Sequence, residues 1–169
     1  MISICNTVVM SEQFPGKLGP VAFLLAQVGA GAARRFAKAL EPLKFTPSDA
    51  GILRLLGRSP GISQQELAKR LDMHASRLVA VIDDLEKRGL AAREPNREDR
   101  RVYSLQLTDA GRQALAEIGV VARAHNEAIC EGLSEVERIQ LAGMLEKIGG
   151  TLHLHPGVHP GYRNLGKRE

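Results

Sequence analysis

SQQELAKRLDMHASRLVAVIDDLEKRGLAAREPNREDRRVYSLQL, residues 63–107, specifies most of the architecture of this chain. It predicts two short helices separated by a turn and followed by a two-stranded β-hairpin. The first helix begins at Ser63. Glu66, three residues later, completes the S-x-x-E pattern of a capping box, in which two side chains satisfy free backbone N–H groups. The segment from Asp72 to His74 marks the break before the second helix.

The second helix, residues 74–88, is predicted to have one buried face and one small, polar face. Its apolar residues recur at the i, i+3, i+4, i+7 spacing of a buried helix face, at Leu78, Val81, Ile82 and Leu85. Ser76, Arg77 and Ala80 lie on or beside the opposite face. Small or hydrogen-bonding residues near a helix start suit entry into a DNA major groove. The alternative is an ordinary amphipathic helix with a solvated polar side.

A β-hairpin with a basic tip is predicted after Gly89, which is expected to end the second helix in a left-handed conformation. Residues 90–94 and 102–107 are β-prone, and the second run alternates between apolar and polar residues. PNREDRR, residues 95–101, combines a Pro-Asn turn with three arginines. Arginine suits the narrow, negative minor groove because its cation is weakly hydrated. The alternative is a solvated charged turn.

Three segments together resemble the MarR family of winged-helix transcription regulators: LEKRGL at residues 85–90, DRR at 99–101 and LTDAGR at 107–112. The resemblance covers roughly residues 20–150 in order. It implies a mainly α fold with a small β-hairpin wing, in which a winged helix-turn-helix domain joins a helical dimerisation bundle. PadR-type winged helices share an LT-x-x-G element but usually lack the D-R-R tip, so they resemble this chain less.

The resemblance assigns the expected contacts of the second helix with DNA. Ser76 and Arg77 match the family's base-reading positions. The chain departs from the family pattern at His74, where a small capping residue is common, and at Ala80, where an arginine is frequent. The base preference of the family therefore does not transfer directly to this chain.

The resemblance also assigns the wing. Arg100 and Arg101 are expected to contact the minor groove or phosphates, and Arg101 is the better candidate for insertion into the groove. Asp99 is expected to support the tip through an ion pair, and Arg97 is expected to meet phosphate.

Composition limits the remaining possibilities. The chain has 169 residues, is 44% hydrophobic and carries a formal net charge of +4, which permits a polyanionic partner without requiring one. Two cysteines are too few for a disulfide framework, so a reducing cytoplasm is expected. No apolar run approaches the roughly 18–20 residues of a membrane span, and no signal peptide is predicted at the N-terminus.

Two helices are predicted before residue 63. The first runs from Pro20 to Leu40, and its small residues 29–33 are expected to form a packing seam. The second begins with Thr46 as N-cap and Pro47 at its first position, a strong start signal. Asp49 adds favourable negative charge in its first turn.

Two long helices are predicted after the wing. Thr108 caps the first, residues 109–133, and a capping box of Ser134 and Glu137 opens the second, which is expected to end at residues 149–150. The second has an apolar stripe at Val136, Ile139, Leu141, Met144, Leu145 and Ile148. Neither helix has enough chain behind it to be buried within one subunit. We therefore expect a two-fold dimer that binds a pseudo-palindromic operator.

The chain is accordingly divided into five predicted segments. They are a flexible arm (1–17), a dimerisation helix (18–42), a DNA-binding lobe (46–107), C-terminal dimerisation helices (108–152) and a loosely ordered tail (153–169).

No catalytic motif appears, so neither an enzyme nor a cofactor is predicted. Cys5 and Cys130 raise the hypothesis of a redox switch, but Cys130 is interpreted as a small buried apolar residue. Three tail histidines with His125 raise the hypothesis of a metal site, at His153, His155 and His159. Solvated tail histidines are the simpler interpretation, and no metal site is predicted.

The sequence thus predicts a homodimeric, sequence-specific DNA-binding regulator, most simply a repressor. The family resemblance implies release from DNA by a small, often aromatic or phenolic, anion bound between the dimer bundle and the DNA lobe. Arg34, Arg35 and His125 could meet such an anion, although the sequence assigns no residue to it. The alternative is a winged-helix protein-interaction module without DNA binding, favoured by the acidic residues of the second helix and wing.

Overall fold

The computed structural model describes residues 19–71, 73–95 and 103–154. The helices are α1 (Val21–Leu40), α2 (Pro47–Arg58), α3 (Gln64–Leu71), α4 (Ala75–Lys87), α5 (Asp109–Ile129) and α6 (Glu135–Thr151), with a short 3-10 helix at Glu41–Leu43. The strands are β1 (Ile62–Ser63), β2 (Ala91–Pro95) and β3 (Tyr103–Leu107). They form an antiparallel sheet in the order β1-β3-β2. The mainly helical fold with a small β wing is the predicted class.

The sheet has one strand more than the predicted hairpin. β1 pairs with β3 through Ile62 opposite Leu105 and Ser63 opposite Ser104, while β2 pairs along the other edge of β3. A strand of two residues is too short to leave an alternating pattern in the sequence. Because β1 makes β3 the central strand, Ser104 is buried together with Leu105.

The helix starts follow local capping rules. The Thr46 hydroxyl accepts a hydrogen bond from the Asp49 N–H at 3.1 Å, and the Asp49 carboxylate accepts one from the Thr46 N–H at 2.9 Å, so this N-cap is a complete capping box. The predicted box at Ser63 forms only by half. Its hydroxyl accepts from the Glu66 N–H at 3.1 Å, but the Glu66 carboxylate accepts from Arg70 Nε at 3.0 Å.

The predicted capping box at the start of α6 is confirmed. The Ser134 hydroxyl and the Ser134 backbone N–H both donate to the Glu137 carboxylate, and these bonds lower its pKa. Because the pKa of Glu137 is lower in the folded state, the contribution of these hydrogen bonds to stability is present above the unfolded pKa. It is lost as the pH falls through the lowered value.

Gly89 ends α4 as predicted. It has φ +70°, its N–H donates to the Glu86 carbonyl at 2.8 Å, and the Leu90 N–H donates to the Leu85 carbonyl at 2.9 Å. These two bonds form a Schellman motif.

Two other predicted helix ends were wrong. α5 stops at Ile129 rather than 133, because the chain turns through Cys130 and the Leu133 N–H donates to the Cys130 carbonyl at 3.0 Å. α6 continues through Gly149 and Gly150 to Thr151, since the left-handed residue that ends it is His153, with φ +52°. Glycine weakens a helix interior without necessarily ending it.

The hydrophobic core is formed mainly by α2, α3, α4 and β3, together with Leu40 at the end of α1. The fully buried large side chains are Leu40, Ile52, Leu53, Leu56, Leu67, Leu71, Leu78, Ile82, Leu85 and Leu105. Ala114 and Ile118 of α5 extend this core, whereas α6 contributes no buried residue. Within the described part of the chain, no helix is both long and apolar enough to span a membrane.

The apolar residues of α6 are exposed in the single chain. Val136 and Ile139 are 64% and 67% exposed, and Met144 is 55% exposed. At 100° per residue, the six predicted positions spread over an arc of roughly 240° rather than a narrow stripe. α1 likewise exposes Val21 and Phe23.

Candidate nucleic-acid interface

α4 is held by one face and exposes the other. Leu78, Ile82 and Leu85 are fully buried beneath it. Ser76 and Ala80 are exposed on the opposite side, as the helical spacing predicted. The outward face is therefore small and polar near the helix start, which suits close approach to base edges.

The other predicted DNA-binding residues lie at the start of α4, beside its outward face, or in the wing tip. His74 is the N-cap residue of α4 and is exposed, and its side chain makes no capping hydrogen bond. Arg77 is partly buried beside the outward face. The predicted wing-tip residues Arg97, Asp99, Arg100 and Arg101 lie outside the described residues.

Arg93 joins the base of the wing to α4, a role that sequence analysis missed. Its guanidinium pairs with Asp83 at 2.7 Å and with Glu86, and its Nε donates to Gln64 at 3.2 Å. Its backbone N–H also donates to Glu86 at 2.8 Å. The side chain is 20% exposed. Its partners come from two helices, so only the fold brings them together.

Arg88, at the C-terminal end of α4, forms a second set of contacts that sequence analysis missed. Its Nη1 lies 3.2 Å from an Asp49 oxygen and 3.3 Å from an Asp84 oxygen, and its Nη2 donates to the Lys44 carbonyl at 3.1 Å. The guanidinium also stacks over the Phe45 ring, 4.9 Å from its centroid.

These networks account for all three carboxylates of α4. Asp84 pairs with Arg88, while Asp83 and Glu86 pair with Arg93. The acidic residues of α4 therefore form ion pairs with neighbouring arginines of the same chain. Their presence in α4 no longer favours a protein-interaction module.

We expect Arg93→Ala to lower the free energy of unfolding by about 2 kcal/mol, because two carboxylates lose their partner in a partly buried site. Operator affinity should also fall by roughly tenfold, since the uncompensated carboxylates lie on α4, the helix predicted to approach DNA. Chemical unfolding and fluorescence anisotropy measure the two effects. Arg54→Ala, at an exposed position of α2, is the matched control. Equal effects from both substitutions would contradict the proposed role of Arg93.

The LTDAGR segment attaches α5 to the end of α4. The Thr108 hydroxyl accepts from the Gly111 N–H at 3.0 Å and donates to the Gly89 carbonyl at 2.6 Å. A Cβ at Gly111 would lie 1.9 Å from the Leu90 carbonyl oxygen. The glycine thus permits backbone contact at the joint between the lobe and α5.

A cavity of about 640 Å³ lies where α1, the start of α2 and α5 meet. Its lining residues are Gly29, Ala32, Ala33, Phe36, Pro47, Ser48, Ala122, His125, Asn126 and Ile129. The small residues predicted as a packing seam thus form part of its wall. The Phe36 and His125 rings lie 5.3 Å apart at 38°. His125 lines the cavity, whereas Arg34 and Arg35 are exposed and do not.

The cysteine and histidine hypotheses gain no support from the described residues. Cys130 is a partly buried free thiol at the end of α5, and Cys5 lies outside the described residues. Across residues 19–71, 73–95 and 103–154, no three His, Cys, Asp or Glu side chains are grouped to hold a metal ion. His155 and His159 lie outside these ranges.

The order α2, β1, α3, α4, β2, β3, in which α4 is packed by one face only and the β2–β3 hairpin follows it, defines a winged helix-turn-helix protein. A family model described as the MarR family matches residues 43–102. This match covers less than half of the chain, but relatives at 31–34% identity that cover more than three quarters of it show that the chain belongs to the MarR family of transcriptional regulators.

Individual relatives cover most of the chain. It is 34% identical, over 131 residues, to a transcriptional regulatory protein for the hcr operon of Thauera aromatica, covering 77% of this chain and 79% of the relative. It is 33% identical to the transcriptional repressor CouR bound to a 23-mer DNA duplex, with a TM-score of 0.70 and coverage of 77% and 92%. It is 31% identical to the MarR family protein Rv2887 of Mycobacterium tuberculosis in complex with salicylic acid, with a TM-score of 0.63 and coverage of 79% and 98%.

Proposed function

We propose that this chain is a homodimeric, sequence-specific DNA-binding repressor, and not an enzyme, that acts in the cytoplasm. The observation that carries the proposal is the outward face of α4, which is exposed and small at Ser76 and Ala80 while its carboxylates are paired with arginines. The similarity to DNA-bound CouR supports it.

The proposed DNA contacts divide between the two grooves. α4 enters the major groove with His74, Ser76, Arg77 and Ala80. The wing tip reaches the minor groove or the phosphates with Arg97, Arg100 and Arg101, and Asp99 supports the tip.

The proposed dimer covers the exposed apolar residues of α1 and α6. Segments 18–42 and 108–152 form the bundle, and segment 46–107 is the DNA-binding lobe. Burial of side chains such as Phe23, 61% exposed, and Ile139, 67% exposed, supplies the driving force. A two-fold axis then presents two α4 helices about 34–36 Å apart, one turn of DNA.

The proposed effector is a small aromatic molecule in the cavity. The cavity volume of about 640 Å³ falls within the range of small-molecule sites, about 300–1,000 Å³. The Phe36 ring offers a stacking surface, and His125 and Ser48 offer polar groups. A ligand that prefers a dimer with misplaced α4 helices weakens operator binding by its differential affinity for the two states.

Fluorescence anisotropy of the full chain on DNA upstream of its own gene tests the function. We expect binding roughly 10³-fold tighter than to scrambled DNA, with a salt dependence that reports several phosphate contacts. Equal binding to both DNAs would reduce the interaction to generic charge attraction. No binding at low salt would contradict the proposal and favour the protein-interaction module.

We expect Arg101→Ala to weaken operator binding by roughly tenfold, because the wing loses a cation at the minor groove or phosphate. If the contact is with phosphate, the salt slope should also fall by about one. Arg54→Ala, at an exposed position of α2, controls for the loss of one arginine and should leave affinity within about twofold. Unchanged binding by Arg101→Ala would exclude the wing contact.

A further inference from the structure

We propose that Arg88 is a positioning residue that holds α4 against the joint between α1 and α2 and thereby couples the cavity to operator binding. The inference rests on the proposed repressor function and identifies the contacts that regulate it. Arg88 is assigned no contact with the effector.

Arg88 connects two parts of the chain that are distant in sequence. Its guanidinium belongs to the end of α4, but it contacts the Lys44 carbonyl and the Phe45 ring between α1 and α2. It also contacts the Asp49 carboxylate in the first turn of α2. The Lys44 contact spans 44 residues of sequence. Lys44 itself has φ +58°, so the joint turns sharply at the residue that Arg88 contacts.

The Asp49 carboxylate binds both the start of α2 and the end of α4. The same oxygen, Oδ2, lies 3.2 Å from Arg88 Nη1 and accepts the Thr46 N–H at 2.9 Å, which caps α2. The Asp49 side chain is only 12% exposed, and charge-assisted bonds are stronger in such a site than in water. Movement of the first turn of α2 relative to α4 must therefore lengthen one of these bonds.

The first turn of α2 is also a wall of the cavity. Pro47 and Ser48 line the cavity and directly precede Asp49 in the chain. A ligand that displaces Pro47 or Ser48 acts on the residues next to the Asp49–Arg88 ion pair. The pair thus forms a continuous path of contacts from the cavity, through the α2 cap, to the C-terminal end of α4.

Two isosteric substitutions separate this role from a general loss of charge. Asp49 and Asp84 approach the same nitrogen of Arg88, at 3.2 and 3.3 Å, but Asp84 lies on α4 itself whereas Asp49 lies across the joint. Asp49→Asn and Asp84→Asn each remove one negative charge and one partner of Arg88 Nη1, so the change in net charge is matched. Arg88→Lys retains the positive charge but replaces the planar fork by one ammonium group.

The operator dissociation constant is measured first, without effector, for the full-length chain and all three variants. Asp49→Asn is expected to weaken operator binding by about fivefold or more, and Asp84→Asn to leave it within about twofold. Arg88→Lys should give an intermediate loss. Equal operator affinities of Asp49→Asn and Asp84→Asn would overturn the positioning role.

The same titrations are then repeated at saturating salicylate, with salicylate affinity for the DNA-free protein measured by calorimetry. In the natural chain, salicylate should weaken operator binding by a factor within the usual range of about 5–150. In Asp49→Asn this factor should fall to within about twofold of unity while salicylate affinity is retained. A variant that is only less stable would bind both operator DNA and salicylate less well, because less of it is folded. Salicylate would still weaken its operator binding by the same factor as in the natural chain, and that result would contradict the coupling.

The outcomes for the two proposals remain distinct. If salicylate leaves operator binding by the natural chain unchanged, the proposed response to an aromatic acid is wrong. The comparison of Asp49→Asn with Asp84→Asn then still decides whether Arg88 positions α4. If the natural chain does not bind its operator, the repressor function itself fails.

Discussion

Gly111→Ala is expected to lower the free energy of unfolding by about 3 kcal/mol, at the upper end of the usual cost of overpacking. The added Cβ would lie 1.9 Å from the Leu90 carbonyl oxygen and 2.9 Å from its carbonyl carbon. Both atoms belong to backbone that a rotamer change cannot move aside. That carbonyl also accepts the Thr108 N–H at 3.2 Å, so relief of the clash would stretch a hydrogen bond at the same joint.

Helix propensity alone would give the opposite sign. Alanine is favoured over glycine in a helix interior by about 1 kcal/mol, so the expected net loss of stability is the cost of the clash minus this gain. For a chain of this size, about 3 kcal/mol corresponds to a fall in melting temperature of roughly 6–12 °C. Thermal unfolding followed by circular dichroism, at one fixed protein concentration, measures it.

Gly119→Ala is the matched control because it lies in the same helix, α5. Its added Cβ would meet only the end of the Arg123 side chain, at 3.5 Å, which is ordinary contact. This variant should be as stable as the natural chain or more stable. If both variants gain stability, α5 can shift away from Leu90 at little cost, and the glycine is not required by packing.

Gly89 and Gly111 illustrate which structural features can be predicted from a single sequence. Local signals predicted the Thr46 and Ser134 caps and the Gly89 helix end, where the interacting groups are three or four residues apart. At Ser63 the same kind of signal succeeded only by half, because Arg70 binds the Glu66 carboxylate. The requirement for Gly111 depends on the approach of a segment twenty-one residues earlier, Leu90. No local pattern carries that information.

The same distinction separates the predicted and the missed parts of the site. The outward positions Ser76 and Ala80 follow from helical spacing, because a helix packed by one face must expose the other. The partners of Arg88 and Arg93 lie on other elements, so their pairing depends on the tertiary arrangement. The cavity is likewise formed by three separate helices.

Strand β1 was missed for a different reason. Its two residues provide too little sequence for a periodic pattern, and its identity as a strand comes from pairing with β3. The apolar residues of α6 were recognised, but their distribution around the helix was not. A helix that is apolar over most of its circumference is expected to be covered by other chain, which is consistent with the proposed dimer.

Ala80→Glu is expected to weaken operator binding by roughly 100-fold or more, about 2.7 kcal/mol. Ala80 is exposed on the proposed DNA-facing side of α4. Glutamate there adds bulk and a negative charge in a groove lined by phosphates, and like-charge contact at an interface costs several kcal/mol. Stability should change little, because glutamate is among the better helix formers after alanine and the site is exposed. Fluorescence anisotropy on operator DNA measures the affinity, and thermal unfolding checks the fold.

Ala116→Glu separates the local effect from the change in net charge. Ala116 is exposed on α5, a different helix from α4, and the substitution alters the net charge by the same amount. Because α5 belongs to the proposed dimer bundle, size-exclusion chromatography must show that this control remains dimeric. Since exposed charges beyond about 10 Å are largely screened at 0.1 M salt, this control should reduce affinity only slightly. A similar loss in both variants would mean that operator binding depends on overall charge. A selective loss in Ala80→Glu would instead establish α4 as the helix that approaches DNA, because only a group inside the interface resists screening by salt.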